Sequence, residues 1–133
     1  MRRFLIMSAL LFVGLIGLCG AGLAVFAYAW TRADPFPTFM ADYQLRKSHS
    51  YPEAVRAFSE FVVRAFPIGS DAKDAIAQIN KGGFQVTTSG SDSVELLWKR
   101  RAGPCNELYS IVVNPSANGR IAKIAGQLQP VCL

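Results

Sequence analysis

Residues 4–30 form a run of 27 residues without one charge, in a chain of 133. No other feature constrains the fold as much. At 1.5 Å per residue a helix of that length reaches roughly 40 Å, more than the ~30 Å hydrocarbon core of a bilayer. A helix on the surface of a water-soluble core keeps one polar face, and this run has none. Arg2 and Arg3 precede it. Tyr28 and Trp30 stand at its far end, where aromatic side chains favour the interface, and Arg32 follows. The basic start predicts a transmembrane helix with a cytoplasmic N-terminus and residues 32–133 on the outer face. The expected division is an anchor over 1–31, a linker over 32–50 and an outer-face domain over 51–133.

A secretory signal is the alternative, since Ala27-Tyr28-Ala29 offers an A-x-A cleavage site. The usual apolar stretch of a signal is about 7–15 residues, which makes a retained anchor the better fit. Lipidation at Cys19 needs a small residue just before it, and Leu18 stands there. Gly14, Gly17, Ala21 and Ala24 follow a 3-4-3 spacing and line one stripe of the helix. Small residues on one face let a second transmembrane helix approach closely, although Gly and Ala are common in any such segment.

Beyond the anchor, Pro35 and Pro37 mark a connector. Inside it Phe36, Phe39, Met40 and Tyr43 recur at helical spacing, as a surface helix on membrane or partner, or as a staple against the domain's own core. Ser50-x-x-Glu53 reads as a capping box, with Pro52 in the first turn. Ala54, Val55, Phe58, Phe61, Val62 and Phe66 form the apolar stripe of the helix that follows. A second helix begins with Ser70 as N-cap and buries Ala72, Ile76 and Ile79, and Gly82-Gly83 stop it.

From Phe84 the period becomes 2. Strands are expected from residue 84, over 94–101, over 108–114 and over 120–128, with a hairpin turning near Ala117. Short connections imply an antiparallel meander, and both helices should cover one face. The fold class is α+β: an N-terminal transmembrane helix followed by an ααββββ domain.

Cys105 and Cys132 flank the last two strands. A turn near Ala117 sets residue 105 opposite residue 129, so a bridge requires a bulge or a folded-back tail. In an oxidising outer compartment the pair reads as a disulfide. The alternative, a reactive thiol, lacks a C-x-x-C pattern or a His partner.

A catalytic constellation is hard to assemble. His49 is the one histidine, in a polar run with no nucleophile motif near it. The nine carboxylates are scattered singly and several read as caps or turn residues. Gly82-Gly83 leads from helix to strand, the reverse of the order phosphate binding uses. No cofactor, metal set or enzyme activity is expected. Lys99, Arg100 and Arg101 are the one charge run, and with Arg120 and Lys123 they define a basic patch for anionic headgroups or an acidic protein. The plainer reading is a solvated strand end. Nucleic acid is not expected as a partner, because the outer segment carries only +3 and is expected to face away from the cytoplasm. Trp98 lies on the Val94-Leu96-Trp98 face and reads as core.

The run Phe66-Pro67-Ile68-Gly69-Ser70-Asp71, then Ala75-Ile76 and Gly83-Phe84, precedes the strands. It resembles the helix-loop-helix plus antiparallel sheet of the small outer-membrane-assembly lipoproteins and of the β-lactamase inhibitor protein, over residues 52–128. The resemblance implies a protein-binding domain without enzymatic activity in a bacterial envelope. It places the anchor in the inner membrane and the domain in the periplasm. Those lipoproteins carry a lipobox Cys and usually three strands; this chain has an apolar run and four. The expected function is therefore a non-catalytic, single-pass accessory or assembly subunit of a larger membrane complex. The alternative is a secreted periplasmic binding module or enzyme inhibitor released after Ala29.

Overall fold

The computed structural model describes residues 17, 19–28, 32–46, 50–90, 92–103 and 105–132. The chain divides into two compact units, Met1–Arg32 and Ala33–Leu133. In the first, residues 17 and 19–28 are helical and all exposed. Among the described residues no helix is long and apolar enough to cross a membrane. The rest of the expected anchor, Gly14 included, lies outside them.

The second unit is α+β. A 3-10 turn, Thr38–Met40, runs into helix α1 (Ala41–Arg46), followed by α2 (Tyr51–Ala65) and α3 (Ala72–Lys81). Strands β1 (Gln85–Ser89), β2 (Val94–Ala102), β3 (Cys105–Pro115) and β4 (Ile121–Cys132) then pair antiparallel in the order β1-β2-β3-β4. The meander follows from the short connections, which permit antiparallel neighbours only.

Helix α2 forms where its apolar stripe dictates: Ala54, Phe58, Phe61 and Val62 are buried, and Phe66 closes the end. Two details of the expected caps differ. Ser50 is the N-cap of α2, and its side chain makes no capping bond to the first turn. At α3 the cap is Asp71 rather than Ser70. The Asp71 carboxylate accepts from the Asp74 N–H at 3.0 Å, while the Ser70 hydroxyl donates to the Pro67 carbonyl at 2.6 Å. That hydroxyl belongs to a turn, Pro67 to Ser70, closed by Ser70 N–H to Pro67 C=O at 3.1 Å. Gly69 at its third position has φ +87°, the left-handed backbone that a type II turn demands there. Along α3 Ala72, Ala75 and Ile79 are buried, while Ile76 is half-buried against the core.

Helix α2 lies against β4, and Gly126 sets how close it comes. A Cβ on Gly126 would stand 2.6 Å from Val62 Cγ2 and 3.0 Å from Val62 Cβ. The core continues through Ile79, Phe84, Leu96, Ile111, Val113, Ile121 and Leu128. Strand β1 is a five-residue edge with every residue exposed, so its alternation does not become burial; Phe84, one residue before it, carries that role.

Among the described residues, 33–46 form no free linker. Met40 and Tyr43 are fully buried in the core and Phe36 and Phe39 pack against it. The staple reading holds, and the domain starts well before residue 51.

Candidate functional site

The chain enters the domain along β2. Asp34 donates its N–H to the Arg101 carbonyl at 2.9 Å, and its carboxylate accepts the Arg101 N–H at 2.9 Å. Here β1 no longer accompanies β2, because their last pair is Gln85 with Leu97. Asp34 thus satisfies backbone groups on a bare strand edge. Two residues on, the Phe36 ring fits among Tyr43, Trp98 and Tyr109, with ring centroids 5.6–5.9 Å apart.

Arg100 organises the polar side of this entry. In a strand alternate residues share a face, so Arg100 points the same way as Leu96 and Trp98, inward. Its guanidinium pairs with Glu107 at 2.9 Å, donates to the Asp34 carbonyl at 2.8 Å and lies 4.1 Å from the Phe36 ring centre. Both partners are nearly buried, with side chains 12% and 11% exposed. Glu107 also accepts the Tyr109 hydroxyl at 2.7 Å. The Tyr51 hydroxyl donates to the Leu128 carbonyl at 2.9 Å, tying the start of α2 to β4.

Burial, chiefly, pushes the Tyr43 phenol up to about 12. Tyr109 is held well above the usual phenol range by burial first and then by its bond to Glu107. Tyr51 is raised by burial and by the Glu107 charge. At neutral pH these phenols are hydrogen-bond donors, and none offers a phenolate nucleophile or base. No buried side-chain polar atom among the described residues lacks a partner. It fastens the entry segment to the sheet.

Two shallow clefts open elsewhere. One, about 220 Å³, is lined by Gly83, Gln85, Thr87, Leu97, Trp98 and Lys99. The other, about 400 Å³, lies between Thr38, Phe39, Gln78, Lys81 and Gly82. Neither gathers an acid, a base and a nucleophile. Among the described residues no three His, Cys, Asp or Glu converge as a metal set. His49 lies outside the described residues.

The expected basic patch does not form as one surface, and the strand register explains why. Arg100 turns inward to Glu107. Lys99 pairs across β3 Leu108 with Gln129 of β4, whereas Lys123 pairs with Asn114. Six residues of β4 separate those rows, roughly 20 Å at strand rise. Arg120 lies beyond Lys123, at the turn, where it reaches the Gly69 carbonyl at 3.3 Å. Lys99 and Arg101 therefore occupy one end of the sheet, and Arg120 and Lys123 the other.

Cys105 and Cys132 do join, directly opposite each other with Cα atoms 4.3 Å apart. The three-residue mismatch expected from a turn at Ala117 resolves in two parts. The turn centres on Asn118, because Pro115 faces Ile121, and that moves every partner by two. Ala122 is then skipped before Asn114 meets Lys123, a bulge that supplies the third residue. In the N-terminal unit Gly17, Ala21 and Ala24 lie on the exposed helix, and Cys19 is a free, exposed thiol.

Phe36, Asp34 and the Arg100–Glu107 pair were not singled out as a unit by sequence reasoning. Parity was the signal: Arg100 is in step with Leu96 and Trp98, and Glu107 with Tyr109 and Ile111. Comparison of the chain with protein-family models, with curated proteins and with solved structures yields no match.

Proposed function

We propose that this chain is a single-pass, membrane-anchored, non-catalytic accessory subunit of a larger membrane complex, its Ala33–Leu133 unit on the periplasmic face of a bacterial inner membrane. One observation carries the reading. The described helical residues of the first unit expose every large apolar side chain, with Leu23 at 70%, Val25 at 68%, Phe26 at 61% and Tyr28 at 65%. Covering each such side chain is worth about 1.5–3 kcal/mol, so the helix demands lipid or another helix around it. The sequence extends the same character back to Phe4 without a charge. The non-catalytic reading is supported by the entry network, whose phenols donate to Glu107 or to backbone carbonyls.

Native mass spectrometry of the protein extracted from its own membrane in mild detergent tests this. The expected result is a stoichiometric assembly containing a chain that begins at Met1. A free chain beginning at Trp30 would overturn the anchor and make the protein a secreted binding module.

A further inference from the structure

The entry end of the sheet differs from the far end in what it shows to solvent. At the entry end stand the β2–β3 turn, Cys105, Cys132 and the docked Asp34; at the far end stand the β1–β2 and β3–β4 turns. Lys99 and Arg101 are exposed on the outward row of the entry end. Val131, 41% exposed, shares a cross-strand row with Arg101 and Asn106. The acids here are Asp34 and Glu107, and both are engaged: Asp34 with Arg101 and Glu107 with Arg100. At the far end the acids Asp71 and Asp92 accompany Arg120 and Lys123: Asp71 bridges Arg120 through the backbone, and Asn114, opposite Lys123, binds the Asp92 carbonyl. The surplus positive charge, with an apolar side chain beside it, belongs to the entry end.

The polypeptide reaches this end immediately after its apolar run. Trp30 closes that run, and Asp34, only four residues later in the sequence, is fastened to β2. We propose that the Lys99–Arg101 end of the sheet is the membrane-facing surface of the domain and that its exposed cations contact anionic phospholipid headgroups. This rests on the anchored reading above. A cation near an anionic bilayer surface gains about 1 kcal/mol, a roughly fivefold shift in the docked population for each one.

The test uses the full chain in nanodiscs of phosphatidylcholine alone or with one part in about three of phosphatidylglycerol, a ratio chosen to reach a negative surface potential. A trace of lipid with a gadolinium-chelating headgroup is added. Nuclear magnetic resonance then reads broadening at Gly103 and Val131 against Gly119 and Asp92. The expected result is stronger broadening at Gly103 and Val131, increased by phosphatidylglycerol and reduced by salt. Lys99→Gln should cut the phosphatidylglycerol increment roughly fivefold, with the wild-type salt series as the control that needs no variant. Equal broadening at both ends, or no response to phosphatidylglycerol, would overturn this proposal while leaving the anchor intact. A chain that separates from the discs altogether would overturn the anchor instead. If Lys99→Gln leaves the lipid readout unchanged but releases the chain from its native assembly, the surface belongs to a protein and the lipid contact is wrong.

Discussion

Arg100 and Arg101 are neighbours of the same type, and the pleat gives them opposite fates. Arg100 faces inward, with its side chain 12% exposed beside Glu107; Arg101 faces outward, 57% exposed beside an Asp34 that is 42% exposed. Removing one partner of a buried pair strands the other charge and costs about 3–5 kcal/mol, whereas an exposed pair is worth about 0–1 kcal/mol. Arg100→Ala should therefore destabilise the domain several kcal/mol more than Arg101→Ala in denaturant unfolding of the full chain. Equal losses would show that Glu107 is solvated and the network is not closed. Gly126 makes the second residue-scale case. An added Cβ meets Val62 Cβ at 3.0 Å, an atom fixed to the helix backbone that no rotamer can move. Gly126→Ala should cost about 1–3 kcal/mol by overpacking. Val62→Ala removes the Cγ2 that would stand at 2.6 Å but keeps the Cβ, so the double variant should recover only part of the loss. Simple additivity of the two changes would argue that α2 moves aside freely.

At the scale of elements, what the sequence disclosed depended on whether one period or a long-range partner decided the outcome. The α2 stripe and the strand meander were legible, because the change from period 3.6 to 2 at Phe84 is written locally. Residues 32–50 read from sequence as a linker holding either a surface helix or a staple against the core. Their Phe36, Met40 and Tyr43 spacing fits a surface helix equally well, and only the aromatic recess made by Trp98, Tyr109 and Phe58 decides it. Those partners lie many residues away along the chain. The basic patch failed for a related reason: adjacency of Lys99, Arg100 and Arg101 in sequence says nothing without the alternation that turns Arg100 inward. The cysteine spacing calls for a bulge or a folded-back tail in the hairpin, but the turn centre and the Ala122 bulge leave no clear local mark of their own. The β3–β4 hairpin makes its own prediction. Its disulfide closes a separation of 27 residues, which on the chain-entropy model stabilises by about 3–4 kcal/mol. Cys105→Ser/Cys132→Ser should lower stability by about that much. Hydrogen exchange should quicken first at Asn106 and Val131, the pair next to the bridge. Unchanged protection there would mean that pairing alone holds the strand ends.

For the whole molecule, the phenols around the entry segment set an alkaline limit on folding. Tyr43 titrates near 12 in the folded chain and Tyr109 higher still, chiefly because burial disfavours the phenolate. An unfolded chain ionises its tyrosines near the ordinary value of about 10. A raised folded value gives stability that is complete below about pH 10 and lost as pH rises through the folded range, because above pH 10 the unfolded state binds fewer protons. Each phenol held protonated then lowers the unfolding free energy by about 1.4 kcal/mol per pH unit. Tyr43 acts over the window from about 10 to about 12, and Tyr109 through it and beyond. Stability measured by denaturant titration in mild detergent should therefore be level toward pH 10 with respect to these groups and fall steeply above it. Tyr43→Phe removes one titrating group while keeping the ring against Phe58, so it should flatten the alkaline slope by about 1.4 kcal/mol per pH unit whatever it does to stability at pH 7. A slope that Tyr43→Phe leaves unchanged would mean that the hydroxyl is open to water in solution. The entry segment would then be loosely held, and the fixed presentation of the Lys99–Arg101 end would lose its physical basis.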